Sequence, residues 1–525
     1  MKLGMILGVL LMLKLLLLPI DSSSYYHPSC YNSSKTVSHV AAELPQTPQG
    51  VCIEKIGNSS YIALAPHPDD STRIFLASHR GKIWLATVPK EGSRSPMKIR
   101  DSNPFLDISD QVINDDAFGL IGMAFHPNFA HNGRFFVSYY CDKLQHQNCI
   151  GRCSCNSEVN CDPAKVGADR GVEPCQFHAV IAEYTTNSTS QKNSLAKVAN
   201  PSEVQRIFTF GIPSRGVHGG QILIGLQDGH LYFLVGDNGR IDARASFSQN
   251  KGSILGKILR IDIDHIPSAK EIHEKGLWGN YSVPVDNPYT DDNELAPEIW
   301  ALGFRLPWGC SFDSERPSYL LCADTGQNRY EEVSLVTRGG NYGWPFYEGP
   351  FLFQPKNTFN RSLRLTLPIM GYNHYENKGG SSSITGGYIY RSFTDPCLYG
   401  RYMFMDLYAG TMWLGTETPE NSRNFTTSKR SVTCAQDTPL KCGTVAGDGT
   451  LELGYVLSLG EDNRKDIYIL STNGLYRIVR PSRCNYQCSK ESLTTSKQTS
   501  SSADILIQQY FSVFINVLVL VHIAL

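Results

Sequence analysis

Residues 219–237 read Gly-Gly-Gln-Ile-Leu-Ile-Gly-Leu-Gln-Asp-Gly-His-Leu-Tyr-Phe-Leu-Val-Gly-Asp, and residues 339–345 read Gly-Gly-Asn-Tyr-Gly-Trp-Pro. The first stretch is two short apolar strands about an Asp228-Gly229 turn, closing in a glycine-rich loop from which backbone and side chains reach a central ligand. Working outward, short strands punctuated by glycine recur. One unit occupies 62–68, 73–77 and 81–85; the next occupies 122–127, 134–138 and 179–184; others follow at 221–263, 300–335, 386–414 and 454–478. Helical periodicity is scarce between them. Radial stacking buries faces that no single small sheet could bury alone, so the pattern predicts an all-β, six-bladed β-propeller over 53–480 rather than a sandwich or two smaller β domains. His67 and His126, each followed by proline, hold the same place in two successive units. They therefore read as turn residues of the repeat rather than metal ligands.

The ends carry compartment signals. Residues 1–22 hold Lys2, Lys14 and a long leucine-rich run, the pattern of a secretory signal peptide. Residues 489–502 are rich in Ser, Thr and Lys and read as a stalk. Small residues at 500–503 then precede a terminal apolar stretch, so 503–525 is expected to be a removed glycosylphosphatidylinositol (GPI) propeptide, with Ser501 the attachment site. The expected location is the extracellular face of the plasma membrane. The chain has 15 cysteines, which such a compartment would oxidise, and Cys141, Cys149, Cys153, Cys155, Cys161 and Cys175 crowd into one insertion. That cluster lacks zinc-site spacing and reads as a stapled surface loop. Cys310 and Cys322 flank one turn, where they can bridge neighbouring strands. Glycosylation sequons stand at Asn32, Asn58, Asn187, Asn280, Asn360 and Asn424. With 48 basic and 49 acidic residues the net charge is −1, which provides no overall attraction to nucleic acid or an anionic membrane.

Five segments, in order, carry a family resemblance: 119–129, 219–237, 303–308, 324–332 and 339–345. Together they resemble the quinoprotein glucose/sorbosone dehydrogenases, in their Hedgehog-interacting-protein-like branch. That branch usually carries a cysteine-rich, folate-receptor-like domain before the propeller, and with only Cys30 and Cys52 there the domain is expected to be absent. The resemblance implies a propeller that oxidises a sugar or polyol with pyrroloquinoline quinone (PQQ) and Ca2+. A histidine would take the hydroxyl proton, an arginine would hold charge on the quinone oxygen, and calcium would polarise the quinone. It puts Arg305 at the family arginine, with pairing to a propeller carboxylate as the alternative. Gly326 and Gln327 fall where backbone carbonyls bind calcium, although a tight turn explains the same residues. Tyr342 and Trp344 fall on the pocket wall or in the packing between blades.

Two departures bear on function. The family histidine lies two residues before the Gly-Gly pair, where this chain has Val217; its own histidine is His218. A one-residue slip turns an extended side chain to the other face, so His218 serves as base only where the loop is bulged. The family lysine that anchors the cofactor's carboxylates is replaced by Tyr408, and 454–460 supplies no arginine. Each lost charge-assisted bond weakens an anionic cofactor by roughly 1.5–3 kcal/mol. The alternative expectation is a non-catalytic surface propeller for a carbohydrate or protein ligand.

Overall fold

The chain divides into residues Met1–Gln46 and Thr47–Leu525. The computed structural model describes residues 50–115, 118–166, 171–187, 192–216, 218–239, 247–292, 295–353, 364–377, 381–408, 410–445, 447 and 451–491, all in the second unit. The signal and anchor segments, Asn32, Asn360, Val217 and Ser501 lie outside the described residues.

The architecture is all-β and propeller-like. Four sheets follow in chain order, antiparallel except where the short strand Arg152–Cys153 pairs in parallel with Gln205–Gly211: Ala63–Pro66 to Leu106–Asp107, Leu120–Phe125 to Gln205–Gly211, Gly219–Ile224 to Ile299–Leu302, and Pro307–Phe312 to Met370–Asn373. An eight-stranded sheet completes them, holding the strands from Ile384–Ile389 onward together with the chain's first described strand, Gly50–Gly57. The first strands of successive sheets abut in sequence, and Val456–Glu461 returns to contact Ala63–Pro66. Middle strands such as Leu231–Val235 and Lys257–Ile261 are buried at every position, because each sheet is covered on both faces by its neighbours. Several core clusters are accordingly shared by two sheets, whereas the one holding Val51, Met405 and Ile469 lies within the eight-stranded sheet. Phe75 and Ile83 pack with Phe135 and Val137, and Phe136 and Ile181 pack with Phe233 and Leu259. The last cluster joins Tyr468 and Leu470 to Ile74 and Leu76.

Gly50–Gly57 closes the ring. It pairs in parallel with Phe425–Cys434 (Gly50 opposite Ser431) and antiparallel with Gly474–Ile478 (Ile53 opposite Ile478). The Cys52–Cys484 disulfide and a buried ion cluster clamp it, with Glu54 accepting from both Arg477 and Arg483. This pairing spans over 400 residues, and the repeat pattern did not announce it. The unit expected at 300–335 also needs correction, since Ile299–Leu302 is the outer strand of the sheet begun by Gly219.

The cysteine-rich insertion is stapled as expected, by Cys141–Cys149, Cys153–Cys175 and Cys155–Cys161. Cys310 and Cys322 lie directly opposite on paired strands and are bonded. His126 Nδ1 accepts the Asn128 N–H at 3.0 Å, and His67 Nδ1 lies 2.7 Å from Asp69, so both histidines fasten the turn after a first strand.

Candidate functional site

Most first strands are bulged near their start, as shown by register shifts at Leu120/Gly122, Gly219/Ile222, Pro307/Gly309, Ile384/Gly387 and Val456/Ser458. Gly219 (φ 73°) and Gly220 (φ 130°) supply the backbone angles for the second of these, which a side chain would resist. The strand that follows His218 is therefore bulged at its start. The His218 imidazole is 9% exposed and stacks on Phe118, ring centres 4.9 Å apart, with Tyr140 at 5.7 Å.

His218 and Arg305 come from different sheets and are joined through two consecutive residues. The Gly236 N–H donates to the His218 carbonyl at 2.7 Å, and the Asp237 N–H donates to the Arg305 carbonyl at 2.9 Å. Asp237 is buried and accepts the Gly239 N–H at 2.7 Å and the Trp344 Nε1–H. Burial pushes its carboxyl up to about 6, against the pull of these donors and of the Arg305 and Lys257 charges. Lys257 is wholly buried and donates to the Phe247, Ser248 and Leu255 carbonyls at 2.8–3.0 Å. Burial lowers its ammonium to about 7.

The Arg305 guanidinium is held by the protein. Nε and Nη2 donate to Gln327 Oε1 at 2.9 and 2.5 Å, and Nη1 donates to the Thr325 carbonyl at 3.0 Å. Its backbone N–H and that of Leu306 donate to Asp324 at 2.9 and 2.6 Å. Asp324 is pushed up to about 7 by burial, with the Asp237 charge adding to the shift. Trp344 and Tyr342 are buried. Tyr342 stacks on Phe304 at 4.7 Å and donates to the Leu335 carbonyl at 2.8 Å, so it packs within the core; Trp344 lies under Arg305 at 5.7 Å.

Gly326 and Gln327 begin a turn wrapped around a residue that sequence reasoning missed. Glu348 Oε1 accepts four consecutive backbone N–H groups, from Gln327, Asn328, Arg329 and Tyr330, at 2.8, 2.8, 2.7 and 3.1 Å. In a planar trans peptide the carbonyl opposes the N–H, so the Gly326 and Gln327 carbonyls both face away from Glu348. Neither accepts a hydrogen bond from another described residue. Were calcium bound here, these two carbonyls would supply two of the roughly six to eight oxygen ligands that it takes.

PQQ is a tricarboxylate and does not fit the remaining described residues; Arg240, a further candidate anchor, lies outside them. Tyr408 is 50% exposed and meets Tyr455, 55% exposed, edge-to-face at 5.8 Å. Gly454 brings no charge, Lys257 is enclosed by carbonyls, and Arg305 is already bonded within the protein. Arg329 is exposed, but its guanidinium lies 3.7 Å over the Phe351 ring. A separate hollow of about 350 Å³ runs among the first strands between Leu64, Phe125, Ile224, Trp308 and Tyr388, and neither His218 nor Arg305 lines it.

A propeller-like all-β fold with this loop face defines the class of protein. The chain belongs to the Glucose / Sorbosone dehydrogenase family, whose model matches residues 176–451, and within it to the Hedgehog-interacting-protein-like branch. It is 55% identical over 463 residues to the HIPL1 protein of Arabidopsis thaliana, which covers 87% of this chain and 66% of that protein. It is 26% identical to the human Hedgehog-interacting protein over 82% of this chain and 53% of that one. The chain thus spans about two thirds or less of the length of these relatives. Among solved structures, the apo-form of the soluble aldose sugar dehydrogenase of Escherichia coli aligns with TM-score 0.52 at 16% identity, covering 81% of this chain and 97% of that one. That likeness supports the fold.

Proposed function

We propose that this chain is an extracellular propeller that binds a sugar or polyol beside a calcium ion, at the face carrying Arg305 and the 326–330 turn, and that quinone turnover is not retained. The observation that carries the reading is the exposed Tyr408–Tyr455 pair, Tyr408 holding the position that the family resemblance gives to a cofactor-anchoring lysine. Two aromatic rings at right angles, without a charged partner among the described residues, suit the apolar face of a neutral sugar ring. A protein ligand remains the other class of partner for the same face.

A second reading is favoured by one observation. The backbones of His218 and Arg305 flank Gly236 and Asp237, which sets a candidate base and a candidate cation beside one segment. On this reading the chain is a PQQ- and calcium-dependent sugar or polyol dehydrogenase. Sugar-dependent dye reduction by the calcium-loaded protein with added quinone tests it: turnover sinks the binding-only reading, and silence across a panel of aldoses and polyols supports it.

The same proposal includes six blades, the eight-stranded sheet being two blades fused where Gly50–Gly57 meets Phe425–Cys434 at their outer edges. It also includes secretion, a GPI anchor at Ser501 and attachment to the outer face of the plasma membrane. Exposed Asn58, Asn187 and Asn424 are open to glycan, whereas Asn280 is half-buried. No helix among the described residues is long and apolar enough to cross a membrane.

A further inference from the structure

The 326–330 turn has few internal reasons to hold its shape. It lies between the strands Leu320–Asp324 and Tyr330–Val336, and Asn328 and Arg329 at its tip are exposed. What gathers it is one carboxylate oxygen brought from elsewhere in the chain. Glu348 sits on a two-residue strand paired with Phe351–Leu352 around Gly349 (φ 59°), and the Gly349 N–H is fixed to Glu332 at 2.8 Å. Four N–H groups converging on a single anionic oxygen form a nest of the kind that elsewhere binds phosphate or a free anion. Here the anion belongs to the protein. Its second oxygen, Oε2, is buried without a hydrogen-bond partner, so Glu348 spends its bonding on the turn alone. Gly326 completes the fit: a Cβ there would lie 1.9 Å from the Tyr330 carbonyl oxygen and 2.7 Å from Glu348 Oε1.

Resting on the calcium reading given above, we propose that Glu348 is the positioning residue of the cation site: its carboxylate gathers the N–H groups of residues 327–330 and so turns the Gly326 and Gln327 carbonyls outward as a preformed pair of ligands. The charge around the turn is consistent with this. Asp324, Glu331 and Glu332 are buried close behind the turn, opposed by Arg305 and by His374, whose Nε2 lies 2.7 Å from Glu331.

The test is calorimetric titration of the chelator-treated whole protein with calcium chloride, in wild type, Glu348→Leu and Glu348→Gln. Loss of an outer-shell partner weakens metal binding by about 10–100-fold, and that is the loss expected in Glu348→Leu. Glu348→Gln retains a carbonyl oxygen for the four N–H groups and replaces the unpartnered Oε2, so its affinity should stay within about threefold of wild type by the same reasoning. General destabilisation would not produce that rescue. Asp313→Asn, which disturbs the distant Arg316 and Arg391 pairs, should bind calcium as wild type does. If Glu348→Leu does not fold, Gly326→Ala distorts the same turn from the other side and should show the same loss. Unchanged affinity in a folded Glu348→Leu or Gly326→Ala protein overturns the positioning role and leaves the cation site standing. Absence of calcium binding by the wild type overturns the cation reading itself, and Glu348's role with it.

Discussion

Replacing Arg305 by alanine separates a guanidinium that braces the loop face from one that waits for a ligand. The side chain makes three hydrogen bonds, two to Gln327 Oε1 and one to the Thr325 carbonyl. Bonds of a charged donor contribute about 1.5–3 kcal/mol each, but two here share one acceptor and the group is only half-buried. We therefore expect a loss of about 2–3 kcal/mol. Urea unfolding followed by tryptophan fluorescence should show a lower midpoint with an unchanged slope. Gln327→Ala should cost less, and the double variant should reveal a coupling of about 1–2 kcal/mol, because the two side chains answer to one another. The backbone N–H bonds to Asp324 survive in every variant, so the effect reports the guanidinium alone. Stability of Arg305→Ala within about 0.5 kcal/mol of wild type, with no coupling to Gln327, would refute the argument and return Arg305 to the role of a free cation.

Three further outcomes follow from the same geometry. Tyr408→Lys restores one missing anchor and should gain about tenfold in quinone affinity, the lower end for one charge-assisted bond at a half-exposed site, read as weak binding where wild type shows none; Tyr375→Lys, at an exposed tyrosine of another loop, should not gain it, and equal gains would sink the explanation. Asp237 titrates near 6 in the folded chain and near 3.8 when unfolded, so the folded state holds the extra proton between these values and stability is lost as pH rises through that window. Asp237→Asn should flatten the curve by up to about 3 kcal/mol, and parallel melting curves for the two proteins from pH 4.5 to 7.5 would contradict this. Glu54→Ala strands Arg477, which is 1% exposed, and should cost about 3–5 kcal/mol in urea unfolding; a loss below 1 kcal/mol would show that the ring closure does not depend on this cluster.

The repeat was legible because period-two apolar runs and glycine punctuation are local. The strands Arg73–Ala77 and Lys82–Thr87 fall almost where the pattern put them. Ring closure was not, since Gly50–Gly57 reads as an ordinary strand and nothing nearby says that it pairs with Ile478. The same limit applied at the site. The family resemblance brought out His218, Arg305, Gly326 and Gln327, and flagged Tyr408 as out of place. It gave no hint that Arg305 is engaged by Gln327, because that bond depends on the strand register that sets Pro307 opposite Asp324. Glu348 was missed although it follows the quoted Trp344-Pro345 by three residues. A glutamate before Gly349-Pro350 looks like a surface turn, and only the folded turn shows four N–H groups converging on it. Lys257 was hidden for the opposite reason, since a lysine inside Lys257–Ile261 reads as the exposed position of a strand and is instead enclosed by three carbonyls.

The central claim is that this face keeps a cation site and has lost the quinone site. It is tested most directly by calorimetric titration of the calcium-loaded, anchor-free protein with pyrroloquinoline quinone, beside Arg305→Ala. The account predicts no detectable binding in either protein. Micromolar or tighter binding by wild type that disappears in Arg305→Ala would contradict it and place Arg305 in a working cofactor pocket.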